Sequence, residues 1–213
     1  MSPATGNRPA VARLSARLRG LSLPMFLRRR PLRLALTVLL AVTLITALVK
    51  ILTPDPSPTL AVPSVYRQTV IDASSTCTSL SAPLLAAQID AESSWDPKAD
   101  SGKAEGIAQF TPETWADWSG DYDGDGKTSI WDPVDAINSQ AAYMCSLLRQ
   151  TASVPGDAAD NALAAYNAGP TTVLDANGIP DIAETEKYVT KIDALIPQYA
   201  RTLPASAGGT SAS

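Results

Sequence analysis

Apolar positions recur at helical spacing through the second half of the chain. After Ser81, a capping residue, Leu85 and Ile89 stand four apart, and Glu92 is the next position on that stripe. This predicts a helix from Ser81 to about Glu92 with a carboxylate where a core residue would be expected. Thr111-Pro112-Glu113 pairs a cap with proline at the first helical position and opens a short helix through Trp118. Asp132-Pro133 opens another in the same way, with Ile137, Ala141, Cys145 and Leu148 on one stripe. A helix from about Asp157 should stop at Gly169-Pro170, and a last one runs from about Asp181 to Ile196 with Tyr188, Ile192 and Leu195 on one side. No run alternates in the manner of a strand, so the folded part reads as mainly α.

The N-terminal pattern is different. Leu34–Val49 is uncharged and apolar, and with Lys50 snorkelling the run extends to Leu52, close to the ~20 residues of a membrane-spanning helix. Residues 1–50 carry eight Arg, one Lys and no acid, whereas the remainder carries 21 Asp and Glu. The Arg residues ahead of the apolar run place residues 1–33 in the cytoplasm and the chain beyond 52 outside it. The expected organisation is a basic disordered segment (1–33), a transmembrane anchor (34–52), a proline-rich linker (53–63), a catalytic-size domain (64–201) and a disordered tail (202–213). A cleaved signal peptide is the alternative, with Thr59-Leu60-Ala61 as its weak cleavage site. The acidic outer part speaks against nucleic-acid binding. With no His in the chain, Ser–His–Asp triads, Cys–His pairs and His-ligated zinc are excluded. Cys77 and Cys145, the only cysteines, form an even pair in a domain read as extracytoplasmic and are expected to be disulfide-bonded. That bridge would contribute on the order of 4 kcal/mol in the chain-entropy account.

Glu92 lies at the edge of an apolar surface near a helix C-terminus. Desolvation and the negative end of the helix both disfavour its ionised form. A carboxyl still protonated near neutrality suits a general acid that protonates a leaving glycosidic oxygen. Around it stand Glu92-Ser93, then Gly106-Ile107-Ala108-Gln109 before the Thr-Pro helix start, then Ala165-Tyr166-Asn167-Ala168-Gly169, then Glu184-Thr185 with Tyr188-Val189. In this order, over residues 82–196, the four pieces resemble the soluble lytic transglycosylase family and its goose-type lysozyme-like domain. The resemblance implies that Glu92 is the single catalytic acid and base. It also implies that Gln109 and Tyr166 contact the glycan, with Ser93 and Asn167 beside them, and that Glu184, read as inward-facing, supports the cleft. Ile107-Ala108 stands where the family often has Leu-Met, and Asp100–Gly106 departs from its usual SPxGAxG. Of the tryptophans, Trp115 and Trp118 read as core, and Trp95 reads equally as core or as a platform for a sugar ring.

Asp121–Asp132, DYDGDGKTSIWD, is similar to a calcium-binding EF-hand loop and closer still to the dockerin variant with Asp at its last position. That resemblance implies a structural Ca2+ held by Asp121, Asp123, Asp125, the Lys127 carbonyl and Asp132. An Asp-for-Glu exchange at the last ligand and Thr128 at an ordinarily aliphatic position are its departures.

The function implied is cleavage of the peptidoglycan glycan strand between N-acetylmuramic acid and N-acetylglucosamine, closing a 1,6-anhydro ring without water or organic cofactor. Two alternatives stand beside it. One is a hydrolytic muramidase drawing a second carboxylate from Asp90, Asp96 or Asp100, since most glycosidases use two. The other is a catalytically silent cell-wall binding module.

Overall fold

The structure, a computed structural model, describes residues 36–46 and 60–204 of the chain. It divides into two units, Met1–Ser57 and Pro58–Ser213. In the first, residues 36–46 are helical, with Leu39, Leu40 and Leu44 exposed. Among the described residues no helix is long and apolar enough to cross a membrane. Residues 34–35 and 47–52 of the expected anchor, the segment 1–33, most of the linker and the tail beyond 204 lie outside the described residues.

The second unit is helical. Its elements are α1 (Ser64–Ala73), a 3₁₀ turn (Ser74–Thr76), α2 (Ala82–Ser93), α3 (Pro112–Trp118), α4 (Pro133–Gln150), α5 (Ala158–Ala168), α6 (Pro170–Ala176) and α7 (Ala183–Tyr199). Among the described residues the only β-type pairing is two isolated bridges, Asp100 with Glu105 and Glu105 with Phe110. The caps explain the helix starts. Ser81 Oγ accepts from the Leu84 amide, Thr111 Oγ1 from Thr114, Asp132 from Val134 and Asp135, and Asp157 from Ala159 and Asp160.

The helix α2 is the axis of this unit. Every residue from Ala82 to Ile89 is buried, so it is covered on all sides and not along one stripe. Its most extensive partner is α7, while α4 packs on α1 and α5, and α5 on α6 and α7. Cys77 and Cys145 are disulfide-bonded with Cα atoms 6.0 Å apart, tying the segment after the 3₁₀ turn to α4.

Two boundaries differ from the sequence pattern. Gly169 and Pro170 do end α5, but Pro170 also starts α6, because proline is well suited to a first helical position. The last helix passes through Pro197 to Tyr199 and does not stop at Ile196. Tyr199 is buried, and its hydroxyl donates to Asp90 Oδ2 at 2.9 Å, which holds that final turn in place.

Between α2 and α3 the chain folds into a compact loop. Gly106 has φ +76°, and a Cβ there would lie 2.1 Å from the Ile130 carbonyl oxygen. The loop can therefore reach the start of α4 only with glycine at this position. Gly106→Ala is expected to lower stability by about 2–3 kcal/mol, through overpacking against rigid backbone and an unfavourable φ. Urea unfolding of the two proteins measures it.

Candidate active site

Glu92 sits in the last turn of α2, half-buried as a residue, with its carboxyl group largely enclosed. Tyr188 of α7 donates its hydroxyl to Glu92 Oε1 at 2.5 Å, and Gln88, one turn earlier on α2, donates Nε2 to that same phenol oxygen at 3.2 Å. Lys191 Nζ donates to the Ala91 carbonyl at 2.7 Å, satisfying an end-of-helix acceptor. Burial pushes the Glu92 carboxyl up to about 7, against the opposing effects of the Tyr188 hydrogen bond and the Lys191 charge. At neutral pH such a group is present both as acid and as base.

Tyr166, near the end of α5, donates to the Ala108 carbonyl at 2.8 Å and so joins α5 to the Gly106–Gln109 loop. Burial, with the Glu92 charge second, keeps its phenol far above the ordinary tyrosine range. Gln109 is held with φ +49°, and its Nε2 donates to the carbonyls of Ala99 at 3.0 Å and Gly106 at 2.9 Å. Those bonds stabilise the left-handed backbone at this position and commit the amide nitrogen to the loop, leaving Oε1 as the atom available to a ligand. Ser93 Oγ turns back to the Ile89 carbonyl at 3.4 Å. Asn167 is exposed, with Oδ1 accepting from Thr185 at 2.7 Å.

Glu92, Tyr166 and Tyr188 are thus brought together, with Gln109 in the loop that Tyr166 holds. Glu184 does not join them. It is exposed in the first turn of α7, not inward-facing, and the buried residue of that turn is Thr185. A spacing of four residues from Tyr188 does not bury Glu184, because Tyr188 is itself at the edge of the buried face.

Of the two readings of Trp95, the contacts favour the core. Its indole stacks on Tyr66 with centroids 6.2 Å apart, and Nε1 donates to Tyr199 at 2.9 Å, so it belongs to a structural cluster. A second aromatic group sets Trp118 against Tyr143 (5.1 Å), Tyr143 against Tyr166 (5.3 Å), and Phe110 against Trp115 (5.4 Å). Sequence reasoning missed Gln88 and Tyr143. Both lie on helices where an apolar stripe was the expected content. A polar residue inside the buried turn that precedes Glu92 was the signal for Gln88.

The acidic loop converges differently from its sequence pattern. Carboxylate oxygens of Asp121, Asp123 and Asp135 approach within 4.8 Å of one another. Asp132, whose Oδ1 caps α4, and Asp125, which accepts from the Lys127 amide, are not in that group. Asp135 is buried and also accepts from the amides of Tyr122 (2.8 Å) and Ser129 (3.0 Å), gathering both ends of the loop.

The transglycosylase SLT domain family matches residues 69–189, which takes in Glu92, Gln109, Tyr166 and Tyr188. The chain belongs to the transglycosylase SLT domain family. It is 38% identical over 60 residues to membrane-bound lytic murein transglycosylase B of Escherichia coli strain K12, covering 28% of this chain and 17% of that protein. The fold is that of the 70 kDa soluble lytic transglycosylase SLT70 from Escherichia coli, with a TM-score of 0.56 and 24% identity, over 68% of this chain and 25% of that one. The chain therefore spans a small part of the length of either relative.

Within this SLT domain the raised Glu92 carboxyl has a thermodynamic consequence. Folded Glu92 holds its proton to about 7, and an ordinary glutamate to 4.5. Between those values the folded state binds more protons, so Glu92's contribution to stability falls as pH rises. Glu92→Gln abolishes this dependence. The variant is expected to gain on the parent from pH 4.5 upward, levelling above about 7 at about 3 kcal/mol. Urea unfolding at stepped pH measures the difference. Asp160, held near about 6 by burial and by the Asp193 and Asp157 charges, titrates in both proteins and cancels.

Proposed function

We propose that this chain is a membrane-anchored lytic transglycosylase that cleaves peptidoglycan glycan strands between N-acetylmuramic acid and N-acetylglucosamine. The observation that carries the reading is one enclosed carboxyl, raised to about 7 and donated to by a tyrosine, in the SLT family's helix-end position. With Oε1 occupied by Tyr188, the acid proton resides on Oε2. Glu92 gives it to the glycosidic oxygen as that bond breaks, and an oxocarbenium-like centre forms at C1. The carboxylate so produced takes the proton of the muramic acid's own 6-hydroxyl, which closes on C1. Atoms balance without water, and one residue serves as acid and then base. Gln109 and Tyr166 line the glycan's path, with Ser93 and Asn167 beside them.

The residues that would make a hydrolase of it are otherwise engaged. Asp90 accepts from Tyr199, Asp96 from the Lys98 amide and Asp100 from the Gly102 amide. The anchor is read from the apolar run 34–52 and the exposed leucines of 36–46. A membrane-bound relative agrees with it. On this reading the catalytic domain works outside the cytoplasm.

The acidic loop is read as a structural calcium site whose carboxylates come from Asp121, Asp123 and Asp135. The supporting observation is electrostatic. The Asp125 amide lowers the Asp123 carboxyl, yet desolvation and the charges of Asp125, Asp132 and Asp135 leave it raised, a repulsion that a cation would relieve.

Two outcomes test these readings. Incubation of the full chain with peptidoglycan sacculi should release muropeptides with 1,6-anhydro ends, about 18 Da (one water) lighter than hydrolytic products. Glu92→Gln should release none while remaining folded. Reducing ends would establish a muramidase, and no products from the parent would favour a binding module. For the loop, EDTA should lower the melting temperature and calcium restore it. Asp135→Asn should abolish that response, whereas Asp132→Asn, still a good helix cap, should retain it.

A further inference from the structure

The residue preceding Glu92 by one turn is out of place on stability grounds. Gln88 is fully buried among Leu84, Leu85, Ala87 and Ile89, on a helix covered on all sides. A buried amide is costly unless its groups are paired. Among the described residues Gln88 Oε1, which is buried, has no partner, and the one hydrogen bond of its side chain runs from Nε2 to Tyr188 Oη. Methionine would fill the same space without the orphaned carbonyl. The one chemical act open to Gln88 is therefore on that phenol.

We infer that Gln88 is a positioning residue for Glu92, acting through Tyr188 by fixing which way the phenol's proton points. A phenol has a single proton. An amide nitrogen can only donate, so Gln88 Nε2 makes Tyr188 Oη an acceptor on that side and directs its proton to Glu92 Oε1. With Glu92 ionised, the opposite amide orientation would set two acceptors, Gln88 Oε1 and Glu92 Oε1, against one proton. Directed in this way, Tyr188 always donates to Oε1. The carboxyl's own proton is then kept on Oε2. Without Gln88, Tyr188 is free to turn and accept from a protonated Glu92, which would sequester the proton on Oε1. The inference rests on the reading of Glu92 as the acid, but the hydrogen-bond direction can be measured apart from turnover.

The groups facing Glu92 are Tyr188 and Lys191 from α7 and Tyr166 from α5, with Tyr143 of α4 behind Tyr166. None of the others takes Gln88's part. Lys191 donates to the Ala91 carbonyl, and Tyr166 donates to Ala108.

The test is Gln88→Met in the full chain, with the Glu92 carboxyl followed by carbon NMR across pH. Donation by Tyr188 favours the ionised carboxylate, and donation from Gln88 strengthens it. The variant should therefore titrate about half a pH unit above the parent. It should unfold at the same or a higher urea concentration. In a Tyr188→Phe background the same substitution should leave the midpoint unmoved. An unchanged or lowered midpoint in folded Gln88→Met would overturn the inference, as would an equal shift in the Tyr188→Phe background. The alkaline limb of kcat/KM against pH should move upward with the NMR midpoint. A midpoint that moves while sacculi are not cleaved by the parent would sustain the role of Gln88 and defeat the transglycosylase reading instead.

Discussion

The structure depends on keeping one carboxyl at the seam between α2 and α7 without leaving a bare charge in the interior. An isolated buried carboxylate would simply stay protonated, and one in water would stay ionised near neutrality. The seam sets Glu92 between these limits at about 7. Burial raises it, and the Tyr188 hydroxyl and the Lys191 charge restrain the rise. These partners come from α7, so the acid's chemistry is inseparable from helix packing. The same pair of helices carries the Asp90–Tyr199–Trp95 hydrogen bonds, which fix the register of α7 along α2. A slip of one turn would break both networks at once.

The second constraint is the close approach of Gly106 to Ile130. It brings the loop that holds Gln109 against the backbone leading into α4. Ile130 lies within the last turn of the acidic loop, next to Ser129, whose amide donates to Asp135 as does that of Tyr122 at the loop's other end. Tyr166 fastens the other side of the Gln109 loop through the Ala108 carbonyl. The loop that carries Gln109 is thus fixed from α5 and from the start of α4. It achieves order without a strand, through bonds that converge on the Ala99 and Gly106 carbonyls.

The site was legible where chemistry is written in residue type and local spacing. Glu92 betrayed itself by occupying an apolar stripe, and the four ordered motifs pointed to the family that matches residues 69–189. Glu184 was misread because a helix's buried face is set by what packs on it, and a four-residue interval alone does not locate that face. Trp95 could serve a sugar or the core equally well until Tyr66 and Tyr199 were seen to cover it. In the acidic loop the sequence pattern favoured Asp132. Asp132 caps α4 through Oδ1, and Asp135, three residues past the loop's last position, converges with Asp121 and Asp123.

By itself the sequence determined the helical class, the caps that start α2 to α5, the cysteine pair and the acid at the helix end. These are local matters: a cap needs only the next three residues, and an acid on a stripe needs only its own helix. The tertiary structure decided everything that depends on which surfaces meet. That includes the full burial of α2, the extension of α7 through Pro197, and the contacts made by Gln88, Tyr143 and Asp135. The physical reason is that the energy of a buried polar group is fixed by its partners, and for Glu92, Gln88 and Asp90 those partners lie on α7, about a hundred residues further along the chain.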